Sequence, residues 1–200
     1  KRWPAAVKFV EDNRLNEFFD GEASDIGIVL QGGVYNTTLR ALALNGLADA
    51  YGESKVPLYV MNVTYPLVDK EFIRFCQGKK AILIVEEGHP DYIEQAVNTI
   101  LRRADIQTRV HGKDVLPMAG EYTGGVVREG IRKFIEKVRP DLAPPAPVEQ
   151  APAKQRASNA IAKVDAVMHG RPPSFCTGCP ERPIFAAMKL VERELGPHHV

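Results

Sequence analysis

Cys176 and Cys179 stand two residues apart in the stretch Arg171–Arg182, which reads Arg-Pro-Pro-Ser-Phe-Cys-Thr-Gly-Cys-Pro-Glu-Arg. Prolines lie on both sides, so the backbone cannot run through the pair as helix and is predicted to loop there. A Cys-x-x-Cys loop can aim two sulfurs at one point, which suits a metal, a cluster or a disulfide. Pro183–Leu195 is predicted as a helix whose N-terminal N–H groups lie beside that point, a setting that lowers thiolate pKa and favours anions. Spacing alone leaves four readings open. A zinc half-site would need two more ligands, and His169, His198 and His199 lack zinc-finger spacing. A thioredoxin-like pair would follow a strand in a βαβ unit, which this one does not. Half of an iron–sulfur set would need cysteines from elsewhere. The fourth reading is two incidental cysteines.

A second group of polar residues sits where strands are expected to end: Gln31-Gly32-Gly33, Asn62-Val63-Thr64-Tyr65 and Glu86-Glu87-Gly88-His89. In open α/β sheets ligands bind outside the carboxyl ends of the strands, so these could line a crevice with paired carboxylates and a histidine. The plainer alternative is that strand ends are polar anyway and that the glycines make tight turns. Glu86 and Glu87 could serve as general acid and base if buried together. More commonly one such side chain caps a helix while its neighbour faces water. Gly32-Gly33 fails the Gly-x-Gly-x-x-Gly pattern, and no Walker sequence is present, which excludes the usual dinucleotide and P-loop sites.

The elements that must position these residues follow from the apolar pattern. Residues 1–24 form a helical lead-in, with Pro4 near a helix start and apolar positions continuing to Phe18 and Phe19. Short apolar runs at Asp25–Gln31, Leu58–Val63 and Ala81–Val85 predict buried strands, and Gln107–His111 predicts a more polar edge strand. Helices are predicted over Tyr35–Tyr51, Lys70–Gln77 (capped by Asp69), Asp91–Arg103 and Thr123–Val138. This strand–helix alternation over 25–138 implies right-handed crossovers and an α/β fold, a mainly parallel sheet with helices on both faces. The Pro- and Ala-rich segment 139–157 reads as a semi-stiff linker. A short helix is expected over Ser158–His169, in a tail running through residue 200.

Composition narrows the class further. With 44% hydrophobic and 26% charged residues the chain can build a core. A net charge of +1 without a basic block argues against a nucleic-acid surface. No apolar run reaches membrane-spanning length and no signal-peptide pattern opens the chain. Three cysteines make no disulfide scaffold, and Cys76 reads as a buried small hydrophobe, so a reducing, cytoplasmic setting is expected. A sequence opening at Lys1 and closing just past Gly196-Pro197 is expected to be a piece of a larger protein.

Phe175-Cys-Thr-Gly-Cys-Pro180, together with Gly27-Ile28-Val29 and Ile84-Val85-Glu86-Glu87, resembles indolepyruvate ferredoxin oxidoreductase, a thiamine-dependent 2-oxoacid:ferredoxin oxidoreductase. The resemblance runs along nearly the whole chain. It implies that 25–138 is the transketolase C-terminal-like domain and that 158–200 begins the thiamine-diphosphate-binding domain. It implies oxidative decarboxylation of indolepyruvate, with coenzyme A taking the acyl group and ferredoxin the electrons. The cofactors implied for the full-length protein are thiamine diphosphate with Mg2+ and [4Fe-4S] clusters, with none held by this fragment alone. Cys176 and Cys179 match the family's cluster-ligating pair, and Gly178 and Glu181 fall at cofactor-binding positions beside it. Glu181-Arg182 departs from the His-Arg that many members carry after Cys-Pro. The partners implied are other domains or subunits of the same enzyme, and the parent is expected to be a homo-oligomer. Two alternatives are a relative acting on another 2-oxoacid and a non-catalytic, zinc-bound interaction module.

Overall fold

A computed structural model describes residues 2–88, 90–143 and 181–196. The chain divides into two compact units, Lys1–Pro145 and Ala146–Val200. In the first unit five strands form one sheet: β1 (Glu17–Phe19), β2 (Ile26–Gln31), β3 (Leu58–Met61), β4 (Ala81–Val85) and β5 (Arg109–His111). Their order is β1-β3-β2-β4-β5. The β2–β3, β2–β4 and β4–β5 pairs are parallel, and β1 alone runs antiparallel, against β3. This is the expected α/β architecture, with one strand added at an edge.

Side-chain alternation along the strands feeds two separate cores. Ile26, Ile28 and Leu30 of β2 face one side with Leu83 of β4, where α2 (Tyr35–Leu44) and α5 (Gly124–Val138) cover them. Val29, Tyr59, Ile82 and Ile84 face the other side, beneath α3 (Asp69–Cys76) and α4 (Tyr92–Arg103). Burial on both faces explains why β2 and β4 read as unbroken apolar runs rather than alternating ones. It also fixes the register, such as Ile28 opposite Leu58 and Leu83, because a one-residue slip would exchange the two cores. Gly27 is needed at its place: a Cβ there would lie 2.8 Å from the Phe75 ring of α3. Cys76 is a fully buried free thiol at the end of α3, as its apolar neighbours suggested.

Several boundaries differ from the sequence expectation. The lead-in helix, α1 (Arg2–Asp12), stops early, and Glu17–Phe19 becomes β1. Arg14 takes a positive φ of 49° there, and its turn is closed by the Leu15 N–H donating to Val10 O at 3.1 Å. The second helix ends at Leu44 instead of Tyr51, since Gly46 at φ 71° turns the chain. The third strand ends at Met61, not Val63. Asp69 is the first residue of α3, so it is not its cap; Val68 holds that position. Residues 139–143, assigned to the linker, stay on the α/β unit: Leu142 and Ala143 pack against the first core and Arg139 pairs with Asp25 and Asp141. Residues 144–157 of that linker and the helix expected over 158–169 lie outside the described residues.

The second unit contributes α6 (Arg182–Leu195), which coincides with the helix expected behind the cysteine loop. Gly196 ends it at φ 89°, with its N–H on Glu192 O at 2.8 Å.

Candidate functional site

The carboxyl ends of the parallel strands do converge, but their polar groups are engaged in holding the loops. Glu86, just past β4, is buried and turns its carboxylate onto the start of α4. Ile93 N–H donates to its two oxygens at 2.9 and 3.0 Å, and Glu94 N–H donates to one at 3.2 Å. Glu86 thus satisfies N–H groups that the first helical turn leaves without partners, and its charge suits the positive end of the helix. Glu87 is exposed and accepts the Tyr122 N–H at 2.6 Å. Of the two readings of this acidic pair, the structure shows the helix cap with a solvent-facing neighbour; a shared acid–base pair is not formed. Gln31, the last residue of β2, accepts the Glu87 N–H at 2.9 Å and joins the two strand ends.

On the β3 side, Asn62 donates to Leu15 O at 3.0 Å and to Glu17 at 2.9 Å, which anchors the start of β1. A Cβ on Gly32 would sit 2.6 Å from the Asn62 side-chain oxygen, so close approach requires that glycine. Beneath them Glu71 of α3 accepts from Tyr59 OH at 2.7 Å and Asn16 Nδ2 at 2.8 Å. Burial first, and then the hydrogen bond to Glu71, push the Tyr59 hydroxyl well above its usual range.

Two residues that the sequence pattern did not single out complete the rim beyond β5. Lys113 Nζ donates to Glu86 O at 2.6 Å, Gly88 O at 2.9 Å and Tyr122 OH at 2.8 Å. Burial lowers its pKa despite the carboxylates nearby, and burial pushes Tyr122 up to about 12. Lys113 therefore clamps the loop after β4. Its only signal in sequence was a lysine two residues past an edge strand. His111 shares a 2.7 Å contact between Nδ1 and Asp114, whose carboxyl also accepts from Lys137 at 2.8 Å. Burial opposes ionisation of Asp114, but the bonds from Lys137 and His111 outweigh it and hold the group far below the usual carboxylate range.

Of the residues singled out around the cysteine loop, Cys176, Gly178 and Cys179 lie outside the described residues, as does His89. Glu181 is described: it is exposed at the N-cap of α6, its side chain makes no capping bond, and its carbonyl accepts the Ile184 N–H at 3.0 Å. Among the described residues no group of three His, Cys, Asp or Glu side chains is placed to hold a metal ion. No helix among them is long and apolar enough to cross a membrane.

The class is thus an α/β domain with a mainly parallel, doubly covered sheet whose strand-end loops are locked by internal hydrogen bonds. No family model matches the chain. It is 29% identical over 188 residues to indolepyruvate oxidoreductase subunit IorA of Methanothermobacter thermautotrophicus, covering 92% of this chain and 26% of that protein. The Pyrococcus abyssi protein of the same name is 30% identical over 168 residues, covering 84% of this chain and 23% of the relative. The Archaeoglobus fulgidus one is 27% identical over 189 residues, covering 94% and 27%. A solved structure titled split gene transketolase, inactive beta4 tetramer, aligns with a TM-score of 0.42 and 20% identity, over 59% of this chain and 40% of that one. The chain is a relative of the IorA subunit of indolepyruvate oxidoreductase, and it spans about a quarter of the length of the curated relatives it matches.

Proposed function

We propose that this chain is a structural and interface segment of a 2-oxoacid oxidoreductase subunit of the indolepyruvate type. The observation that carries the reading is that six curated relatives, aligned along 84–94% of this chain, share the name indolepyruvate oxidoreductase subunit IorA. In the whole enzyme, thiamine diphosphate with Mg2+ would supply the decarboxylation chemistry, and [4Fe-4S] clusters the path for electrons to ferredoxin. The strand-end residues of the sheet domain do not fit either group. Glu86 is committed to the start of α4, Glu87 to Tyr122, and Lys113 to two carbonyls and a hydroxyl. The role of residues 25–138 is accordingly to present a rigid surface to neighbouring parts of the enzyme. Cys176 and Cys179 are the metal ligands of this reading, with Gly178 and Glu181 beside the cofactor.

The test has two arms. Calorimetric titration of this 200-residue chain with thiamine diphosphate and Mg2+ should give no micromolar binding. A longer protein containing it should reduce ferredoxin when given indolepyruvate and coenzyme A, and should lose iron when Cys176 or Cys179 becomes serine. Micromolar cofactor binding by the chain alone would refute the scaffold role. Zinc in place of iron, without ferredoxin reduction, would instead favour an interaction module.

A further inference from the structure

Asn45 is the one asparagine of the chain that precedes a glycine, and it stands where α2 ends. With no side chain on the following residue, a backbone nitrogen can reach an asparagine side chain and close a succinimide ring. The folded structure holds that reaction back in three ways. Asn45 is only 4% exposed, and its Nδ2 donates to Arg128 O of α5 at 3.0 Å. The Gly46 nitrogen, which would be the nucleophile, donates its proton to Ala43 O at 3.0 Å. Asn45 also has ψ 4°, which turns that nitrogen away from the side-chain carbon, whereas ring closure needs the two nearly eclipsed about the Cα–C bond. Gly46 itself is exposed, so water is at hand once the asparagine side chain leaves. We propose that Asn45-Gly46 is a latent modification site: it deamidates only when the contact between α2 and α5 opens, and the product keeps that contact from closing again.

The step balances with water alone. The freed Gly46 nitrogen gives up its proton, bonds to Asn45 Cγ and expels the side-chain amide as ammonia. Water then opens the ring at either carbonyl, leaving aspartate or isoaspartate. Neither product fits the closed form. A carboxylate at position 45 has no N–H to offer Arg128 O and sets a charge in a buried place against a carbonyl oxygen, both of which are costly. Isoaspartate adds a carbon to the backbone inside a turn where Gly46 holds φ 71° and Leu47 N–H reaches Leu42 O at 2.9 Å. Helices α2 and α5 together cover the first core, so damage at their joint reaches the whole sheet domain. The assignment is independent of the proposed activity.

The test holds the 200-residue chain at mildly alkaline pH, once folded and once in urea, and maps its peptides by mass spectrometry. In urea Asn45 should convert ahead of Asn36 and Asn98, each of which precedes a threonine. In the folded chain Asn45 should convert about a hundredfold more slowly than in urea, because opening must come first. Ile131→Val, which loosens the α5 side of the first core and leaves the dipeptide intact, should speed conversion in the folded chain about threefold or more. The converted chain and the Asn45→Asp variant should both unfold at lower urea than the original chain. Any of four results overturns the proposal: equal rates folded and unfolded, conversion in urea no faster at Asn45 than at Asn36, a folded-state rate that Ile131→Val leaves unchanged, or an unfolding midpoint that conversion does not move.

Discussion

Glu86 is a buried acidic side chain met by backbone N–H groups instead of a cation, and its neighbour Glu87 does a lesser version of the same task at the surface. Removing a cap leaves buried donors without partners, the costly half of a hydrogen bond. Glu86→Ala should therefore lower the unfolding free energy by about 2 kcal/mol in urea titration, and Glu87→Ala by only about 0.5 kcal/mol. Equal losses would show that Glu86 does not act as the cap. The buried proton-holding groups give a second expectation. Burial pushes Cys76 up to about 12 from 9.0, and Tyr122 up to about 12 from 10.0. Each keeps its proton in the folded state where the unfolded chain has released it. Their contribution is full below the unfolded value and is lost as pH rises toward the folded one. Lys79 and Lys113, both lowered by burial, act with the opposite sign and soften the fall. Stability should decline from pH 9 to 12, and Cys76→Ala should remove the part of the decline between 9 and 10. An unchanged profile in that variant would exclude the thiol as its source.

At the scale of elements, three helices end in the same turn, and this is where the sequence was hardest to read. After α1, α2 and α4 an N–H reaches back five residues: Leu15 to Val10, Leu47 to Leu42 and Ile106 to Leu101. The residue before each donor is left-handed: Arg14 at φ 49°, Gly46 at 71° and Asp105 at 53°. Glycine meets that demand without strain, and aspartate is tolerated there more readily than arginine. Arg14→Gly should thus raise stability by roughly 0.5–1 kcal/mol, and Asp105→Gly by less. A loss at Arg14 would mean that its side chain contributes more than its backbone costs. The same turn explains the missed strand. Arg14 carries no helix-stop signal, and Phe18 and Phe19 continue the apolar pattern of α1, so the segment reads as helix. Glu17–Phe19 is strand only because β3 pairs with it in space. Strands β2 and β4 were legible because burial on both faces writes itself as an unbroken apolar run. A three-residue edge strand has no such signature.

On the scale of the whole molecule, the two kinds of site differ in how far sequence could reach them. The strand-end residues were visible as types, yet whether Glu86 and Glu87 formed a reactive pair depended on the loop geometry that sends one to α4 and the other to Tyr122. Lys113 left only its place past an edge strand as a signal, since its partners Glu86, Gly88 and Tyr122 come from other loops. The cysteine pair was singled out by spacing and by resemblance, and it lies outside the described residues. Because the first unit has a core on each sheet face and closes its own strand-end hydrogen bonds, its stability should not depend on the thiols. Trp3 lies in that unit and is the sole tryptophan, so emission during urea unfolding follows it alone. In a longer protein containing this chain, with any further tryptophans replaced, Cys176→Ser with Cys179→Ser should strip bound metal while leaving the Trp3 midpoint unchanged. A midpoint that falls together with the metal would show that the thiols help hold the sheet domain, and the proposed division between a scaffold and a metal-binding loop would fail.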